Sequence, residues 1–193
     1  MDFSFFLQPA FSGGQPVHLI CREDSLEALL AELASHAIDA VFTDRPAPPH
    51  IRVKVFSHLL GESDTTFFAA GPLATKLRRG FPRSLNDAAL LLPTLASAHR
   101  AGLDQWFEKE DLRPRVIAEF DDSALMKTFG QGGGAAFPAP TVIAREIARQ
   151  YGVHPIGRVA SLRERYYVIS AERRLKHPAV LAITNAAKDE LFG

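Results

Sequence analysis

The chain has 193 residues, 47% of them hydrophobic, and its 22 basic residues balance 22 acidic ones. That is enough apolar material for one ordinary domain or two small lobes, while the neutral balance lacks the basic excess that direct binding to a phosphate backbone demands. The one cysteine, Cys21, excludes an internal disulfide, fits a reducing compartment and is expected to be a buried thiol in the apolar run 17–21.

No apolar run approaches the roughly 18 residues needed to span a bilayer. The apolar segment 3–7 follows an acidic residue and meets no small-residue cleavage site, so neither an anchor nor a signal peptide is expected and the location is cytoplasmic. In chain order, residues 17–21 form a short β-type run, and Asp24-Ser-Leu-Glu27 has the spacing of a capping box with Asp24 as N-cap. Leu26, Leu29, Leu30, Leu33 and Ala34 then share one helical face. Residues 38–43 return as a strand ending in Asp44-Arg45-Pro46, a strand-helix-strand unit that implies parallel strands. After Pro46-Ala-Pro-Pro49, extended segments 51–56 and 65–70 flank the polar, glycine-containing stretch 60–64, the expected lobe crossing.

The alternation then resumes: strand 89–92, helix 97–109, strand 115–120, helix 123–129, strand 135–137, helix 141–151 and strand 156–160. Strand 166–170 and a helix opened by His177-Pro178 complete the chain. The order predicts an α/β protein of two Rossmann-like subdomains joined by two crossover strands, one subdomain spanning 1–61 plus 169–193 and the other 62–168. Two crossings make a hinge and a cleft, and closure around a ligand is the expected motion.

The stretch 119–140 carries the candidate chemistry, because the carboxyl edge of an open α/β sheet is where ligands sit. Asp121 and Asp122 follow a strand and precede a helix: one is expected to cap that helix, and the other to face the cleft, where it can accept a hydrogen bond from an amine or help hold a cation. Ser123 adds a hydroxyl at the same helix start. Thr94 and Ser97 occupy the equivalent place after strand 89–92, with Ser97 open to a pure capping role. Arg45 either reaches the cleft or pairs locally with Asp44, and Phe137-Pro138 either lines the pocket or packs in the core. The glycines at 130 and 132–134 follow a helix instead of preceding one, which makes them a helix stop and not a phosphate cradle.

Catalysis is not expected, since no nucleophile, base or cofactor site stands at workable spacing. The seven histidines are scattered without transition-metal spacing, so no metal site and no cofactor are expected. A sodium ion would need hard oxygen ligands, for which Glu62, Asp64, Glu119, Asp121 and Asp122 are the supply.

Six motifs in order carry a family resemblance: Leu19-Ile-Cys-Arg-Glu23, Asp39-Ala-Val-Phe-Thr-Asp-Arg-Pro46, the run 119–130, Phe137-Pro-Ala-Pro140, Tyr151-Gly-Val153 and Ser170-Ala-Glu-Arg-Arg-Leu-Lys-His-Pro178. Through them nearly the whole chain resembles the effector-binding domain of LysR-type transcriptional regulators, with most similarity to the sodium-responsive antiporter activators among them. The resemblance implies a type 2 periplasmic-binding-protein-like fold, a non-enzymatic sensor, and a small-molecule or ion effector held between the subdomains at Arg45, Thr94, Ser97, Asp121, Asp122, Ser123, Phe137 and Pro138. It further implies a homodimer, with helix 26–33 and strand 17–21 as candidate surfaces, no membrane partner, and DNA contacted only through an N-terminal domain that this sequence does not contain. The family's sensor opens with a strand and a helix; residues 5–11 match only the end of that helix, so the first lobe is expected to lack its opening strand or to replace it with residues 1–6. The alternatives are a free-standing solute-binding protein and a truncated regulator that sequesters its full-length partners.

Overall fold

The computed structural model of the chain describes residues 18–192. The expectations for residues 1–17, including the missing opening strand and the helix end at 5–11, lie outside the described residues. The described residues divide into two compact units, Ser63–Glu164 and a second made of residues 18–62 with 165–192. Two long strands, β2 (Phe56–Ala70) and β6 (Val153–Ser170), each contain residues of both units. Among the described residues no helix is long and apolar enough to cross a membrane.

In the second unit, helix α1 (Leu26–Ala34) is capped by Ser25, whose hydroxyl accepts the Ala28 N–H at 3.3 Å. The expected cap, Asp24, instead takes the Ser25 N–H at 2.6 Å, one residue too early to reach the first turn. Leu30 and Leu33 of α1 pack with Val41 and Ile169. Strand β1 (Val41–Thr43) is shorter than expected and runs antiparallel to the end of β6, pairing Val41 with Ile169 and Thr43 with Tyr167. Residues 18–21 form no strand and Cys21 is exposed. Without a ladder partner the run has no sheet to bury it, so the expected buried thiol is corrected to an exposed one. Helix α6 (Pro178–Ala186) begins at the Pro178 that the sequence marks and continues as a π-helical turn over Ala187–Leu191.

The first unit holds the larger aromatic core. Its elements are the far part of β2, α2 (Gly71–Arg78), β3 (Ala89–Pro93), α3 (Ala98–Lys109), β4 (Arg115–Phe120), α4 (Ser123–Gln131), β5 (Phe137–Pro140), α5 (Ala144–Tyr151) and the start of β6. Strand β4 pairs parallel with β3, and Leu90 bridges parallel to Ala136 just before β5. Strand β5 is antiparallel to β2, with Thr65 opposite Pro140 and Phe68 opposite Phe137. The unit is therefore mixed where a purely parallel sheet was expected, because β5 borders a crossover strand that enters from the opposite direction. Helix α2 was not expected from the sequence: its charged residues, Lys76 and Arg78, hide a short apolar face of Ala74 and Leu77 that is buried.

Phe67 is the hub of this core. It is fully buried, with ring centroids 5.6 Å from Trp106, 6.0 Å from Phe81 and 6.3 Å from Phe107. Truncating it removes contacts on three sides that neighbours on β2, β3 and α3 cannot jointly refill. Phe67→Ala is expected to cost about 3–5 kcal/mol, read as a lower urea midpoint with unchanged slope.

Candidate functional site

The register brings four strand segments of the first unit to one edge. The parallel strands β3 and β4 end level, Pro93 opposite Phe120, and β5 runs the same way beside β3. Because β2 is antiparallel to β5, the residues entering β2 from Ser63 also lie at that edge. Asp121, Thr94, Thr141 and the Ser63–Thr66 run therefore share the carboxyl edge of this sheet.

Thr94 and Asp121 bind each other. The Thr94 hydroxyl donates to Asp121 Oδ1, and the Thr94 N–H donates to Phe120 O at 3.1 Å, which closes the gap between the two strand ends. Ser97 caps α3, accepting the His99 N–H at 3.2 Å. Asp122 caps α4, with Oδ1 accepting the Ala124 N–H at 2.8 Å and the Leu125 N–H at 3.3 Å. Asp122 is thus the helix cap, while Asp121 stands at the sheet edge with Thr94 as its partner. Ser123 differs: its hydroxyl is enclosed and makes no hydrogen bond, a condition that costs about 1–3 kcal/mol unless a partner arrives.

The remaining candidates separate. Phe137 is fully buried, stacked on Phe68 at 5.8 Å, and Pro138 pairs in register with Phe67. Both are core residues of the strand that leads to the edge. Gly130 packs so closely against the Phe137 ring that an added Cβ would overlap it, which is why a glycine stands inside α4. Arg45 lies in the second unit, where its Nε donates to Asp44 Oδ1 at 2.9 Å, the local pairing that the sequence allowed.

The sequence reading missed the polar run of β2. Ser63, Asp64, Thr65 and Thr66 are all buried. Ser63 Oγ accepts the Val142 N–H at 3.1 Å, the Thr66 and Thr141 hydroxyls meet at 2.8 Å, and Thr65 donates to Leu162 O at 3.1 Å. The signal was present: five consecutive polar residues, Glu62 to Thr66, leading straight into the apolar Phe67–Ala70 mark side chains with partners, since buried polar groups are rarely left unpaired. Arg100, one turn into α3, was also missed. It donates to Pro93 O at 2.9 Å, Asp104 at 2.9 Å and Glu119 at 2.5 Å.

Each carboxylate that could have held a cation already has a partner, although Oδ1 of Asp64 is buried without a hydrogen bond. Glu62 takes Arg165 at 2.6 Å in the second unit. In the first unit Asp64 takes Arg158 at 2.7 Å, Glu119 takes Arg100, Asp121 takes the Thr94 hydroxyl and Asp122 caps α4. Among the described residues no group of three or more His, Cys, Asp or Glu side chains is placed to hold a metal ion.

With this α/β architecture, and with hydroxyls and capped helix starts gathered at one carboxyl edge, the chain belongs to the LysR substrate binding domain family, whose profile matches residues 15–191. The family is one of transcription regulators with a periplasmic-binding-protein-like two-lobe fold, not one of enzymes. A relative is the transcriptional activator protein NhaR of Escherichia coli (strain K12), 37% identical over 189 residues, which cover 98% of this chain and 62% of that protein. The chain thus spans less than two thirds of that relative's length. Among solved structures, the LysR family transcriptional regulator CbnR matches with a TM-score of 0.69 and 12% identity, over 99% of this chain and 65% of that one. The effector binding domain of QuiR in complex with shikimate matches with a TM-score of 0.59 and 14% identity, over 85% and 77%.

Asp64 gives the edge a pH signature. Burial by itself would raise its pKa, but the hydrogen bonds from Arg158 and Thr141 and the charges of Arg158 and Arg163 outweigh it, and the net shift is below the ordinary 3.8. A depressed folded-state pKa means that ionised Asp64 stabilises the fold above the unfolded value, and that this contribution is lost as pH falls through the folded one. Stability should therefore drop below about pH 4, and Asp64→Asn should flatten that part of the profile; urea midpoints between pH 7 and pH 2.5 check it. Asp122→Ala, which removes the α4 cap, is expected to cost about 0.5–2 kcal/mol at neutral pH, while Asp121→Asn leaves the urea midpoint nearly unchanged.

Proposed function

We propose that the chain is the effector-sensing module of a LysR-type transcription regulator, NhaR-like, which binds a small ligand at the carboxyl edge of the first unit and thereby changes how its oligomer holds DNA. The observation that carries this is the enclosed, unpartnered Ser123 hydroxyl beside the Thr94–Asp121 pair, on a chain of this family. Asp121 offers a carboxylate and Thr94 and Ser123 offer hydroxyls, a set suited to a polar organic effector with O–H or N–H donors. Shikimate, the molecule held by the QuiR domain, has such donors. Ligand shifts the working state only through its differential affinity for two states, so the output is allosteric and no residue here acts as a catalyst. DNA is reached through a further domain, in the cytoplasm.

Direct capture of bare sodium is the weaker reading, because the acids at hand carry arginine, hydroxyl or backbone partners. Sodium, lithium and potassium chlorides at equal ionic strength are therefore expected to give superimposable melting curves. Potassium shikimate, used as a probe of donor-bearing effectors, should raise the midpoint in the native chain and less in Thr94→Ala or Ser123→Ala. A rise specific to sodium, with no response to the organic probe, would overturn the organic-effector reading.

The same reading takes the homodimer surface to lie on the first unit. Helix α1 spends Leu30 and Leu33 on its own β1 and β6, and residues 18–21 offer no strand. In the first unit, β4 is an edge strand whose Val116 and Ile117 are 39% and 48% exposed, and Leu125 and Phe129 of α4 are 46% and 59% exposed. Large apolar side chains grouped this way favour burial against a second copy. Ile117→Lys with Phe129→Lys is expected to convert the dimer to a monomer by sedimentation while leaving the far-UV spectrum unchanged.

A further inference from the structure

The motif 170–178 is unexplained by the carboxyl edge. In the second unit it forms one wall of a concavity of about 720 Å³, within the size range of small-ligand pockets. The walls carry four cations, Lys54, Arg173, Arg174 and Lys176, a single acid, Glu172, and the ring of Phe56. Glu172 is taken by Lys176 at 3.1 Å. Among the described residues Lys54, Arg173 and Arg174 have no acidic partner, although the chain as a whole is neutral. An adjoining concavity of about 340 Å³ shares Arg174 and Lys176 and includes one further acid, Asp39.

The basic wall is built, not trailing. Ser170 closes β6 and its hydroxyl donates to Glu172 O at 2.7 Å. That uses the one hydroxyl proton, so the 3.2 Å contact with His58 Nε2 requires His58 to donate and Ser170 to accept. The bend that presents Arg173 and Arg174 is thus pinned at its base from β2 and from within its own turn. Two guanidinium groups in a pinned bend, lining one concavity together with the Lys54 ammonium, suit a multiply charged oxyanion, because guanidinium forks bind phosphate oxygens in pairs.

We propose that this pocket binds a small phosphate-bearing molecule, with its phosphate groups between Lys54, Arg173 and Arg174 and its remainder against Phe56. The site is separate from the effector edge and adds a second, anionic input to the second unit. Affinity should depend steeply on ionic strength, as it does for pockets closed by exposed cations.

The test is calorimetric titration of the full chain with inorganic pyrophosphate at constant ionic strength, with chloride, sulfate and a short DNA duplex as further arms. Saturable binding of pyrophosphate in preference to chloride and sulfate is expected. Arg173→Ala and Arg174→Ala should each weaken it about tenfold or more. Arg115→Ala, an exposed arginine of the first unit, should leave it unchanged. Melting curves of the variants without ligand should match the native chain, since the replaced side chains are exposed. Equal responses to chloride and pyrophosphate, binding insensitive to both arginine changes, or binding of the duplex without pyrophosphate would each overturn the proposal.

Discussion

A buried carboxylate on a crossover strand sets the constraints for the first unit. Asp64 enters the fold with three more polar residues, and all four must find partners or cost the fold more than neighbouring apolar contacts supply. Apart from Asp64 Oδ1, which makes no hydrogen bond, they find them on different elements: Arg158 and Leu162 on β6, and Thr141 and Val142 at the end of β5. A one-residue slip of β2 would turn these side chains to the opposite face, stranding Asp64 without its arginine and withdrawing Phe67 from the aromatic core. The polar run therefore fixes register, and the register places Thr94, Asp121 and Thr141 at one edge.

That dependence explains how much of the fold was legible. Elements with a strong period and their own caps were readable with small boundary errors: α3 after Ser97, β4 at Arg115–Phe120, α4 after Asp122, and α6 at Pro178. The long strands were not. Residues 60–64 look like a break because they are polar and contain glycine, yet they run straight through β2, since the groups that satisfy them lie roughly 75 to 100 residues later in the chain. Likewise β6 reads as two strands, because four of the five residues in 161–165 are polar or charged, yet the strand runs through them. Residues 18–21 fail for the opposite reason: their β propensity is real, but propensity without a paired neighbour does not make a strand.

The site shows the same division between local and distant causes. Capping is local, so the roles of Ser97 and Asp122 could be argued from two or three neighbouring residues. The Thr94–Asp121 bond spans 27 positions and follows only once β3 and β4 are known to be parallel and level. The engagement of Glu119 by Arg100 and of Asp64 by Arg158 was invisible for the same reason, and it changes the chemistry most. Five acids that look like ligand supply in the sequence become, with one exception at Asp121, structural groups whose charge is spent within the fold. The LysR-type resemblance was legible because it rests on the order of motifs along the chain, which survives errors in any one strand boundary.

Charge balance completes the argument. Equal numbers of acids and bases cancel over the whole sequence, but ion pairing is not spread evenly over the described residues. The acids at the carboxyl edge of the first unit are matched by arginines, hydroxyls or backbone donors, leaving that edge suited to hydrogen bonding more than to capturing a bare charge. In the second unit Arg173, Arg174 and Lys54 are left without acidic partners around one concavity, held there by a serine and a histidine whose only evident role is to shape the bend. Concave walls bearing charge of one sign focus their field, so a neutral chain can still carry a strongly anion-seeking pocket. A polar effector at one edge and an anion at a separate pocket would then act through different physics, the first through directional hydrogen bonds and the second through a field that salt weakens.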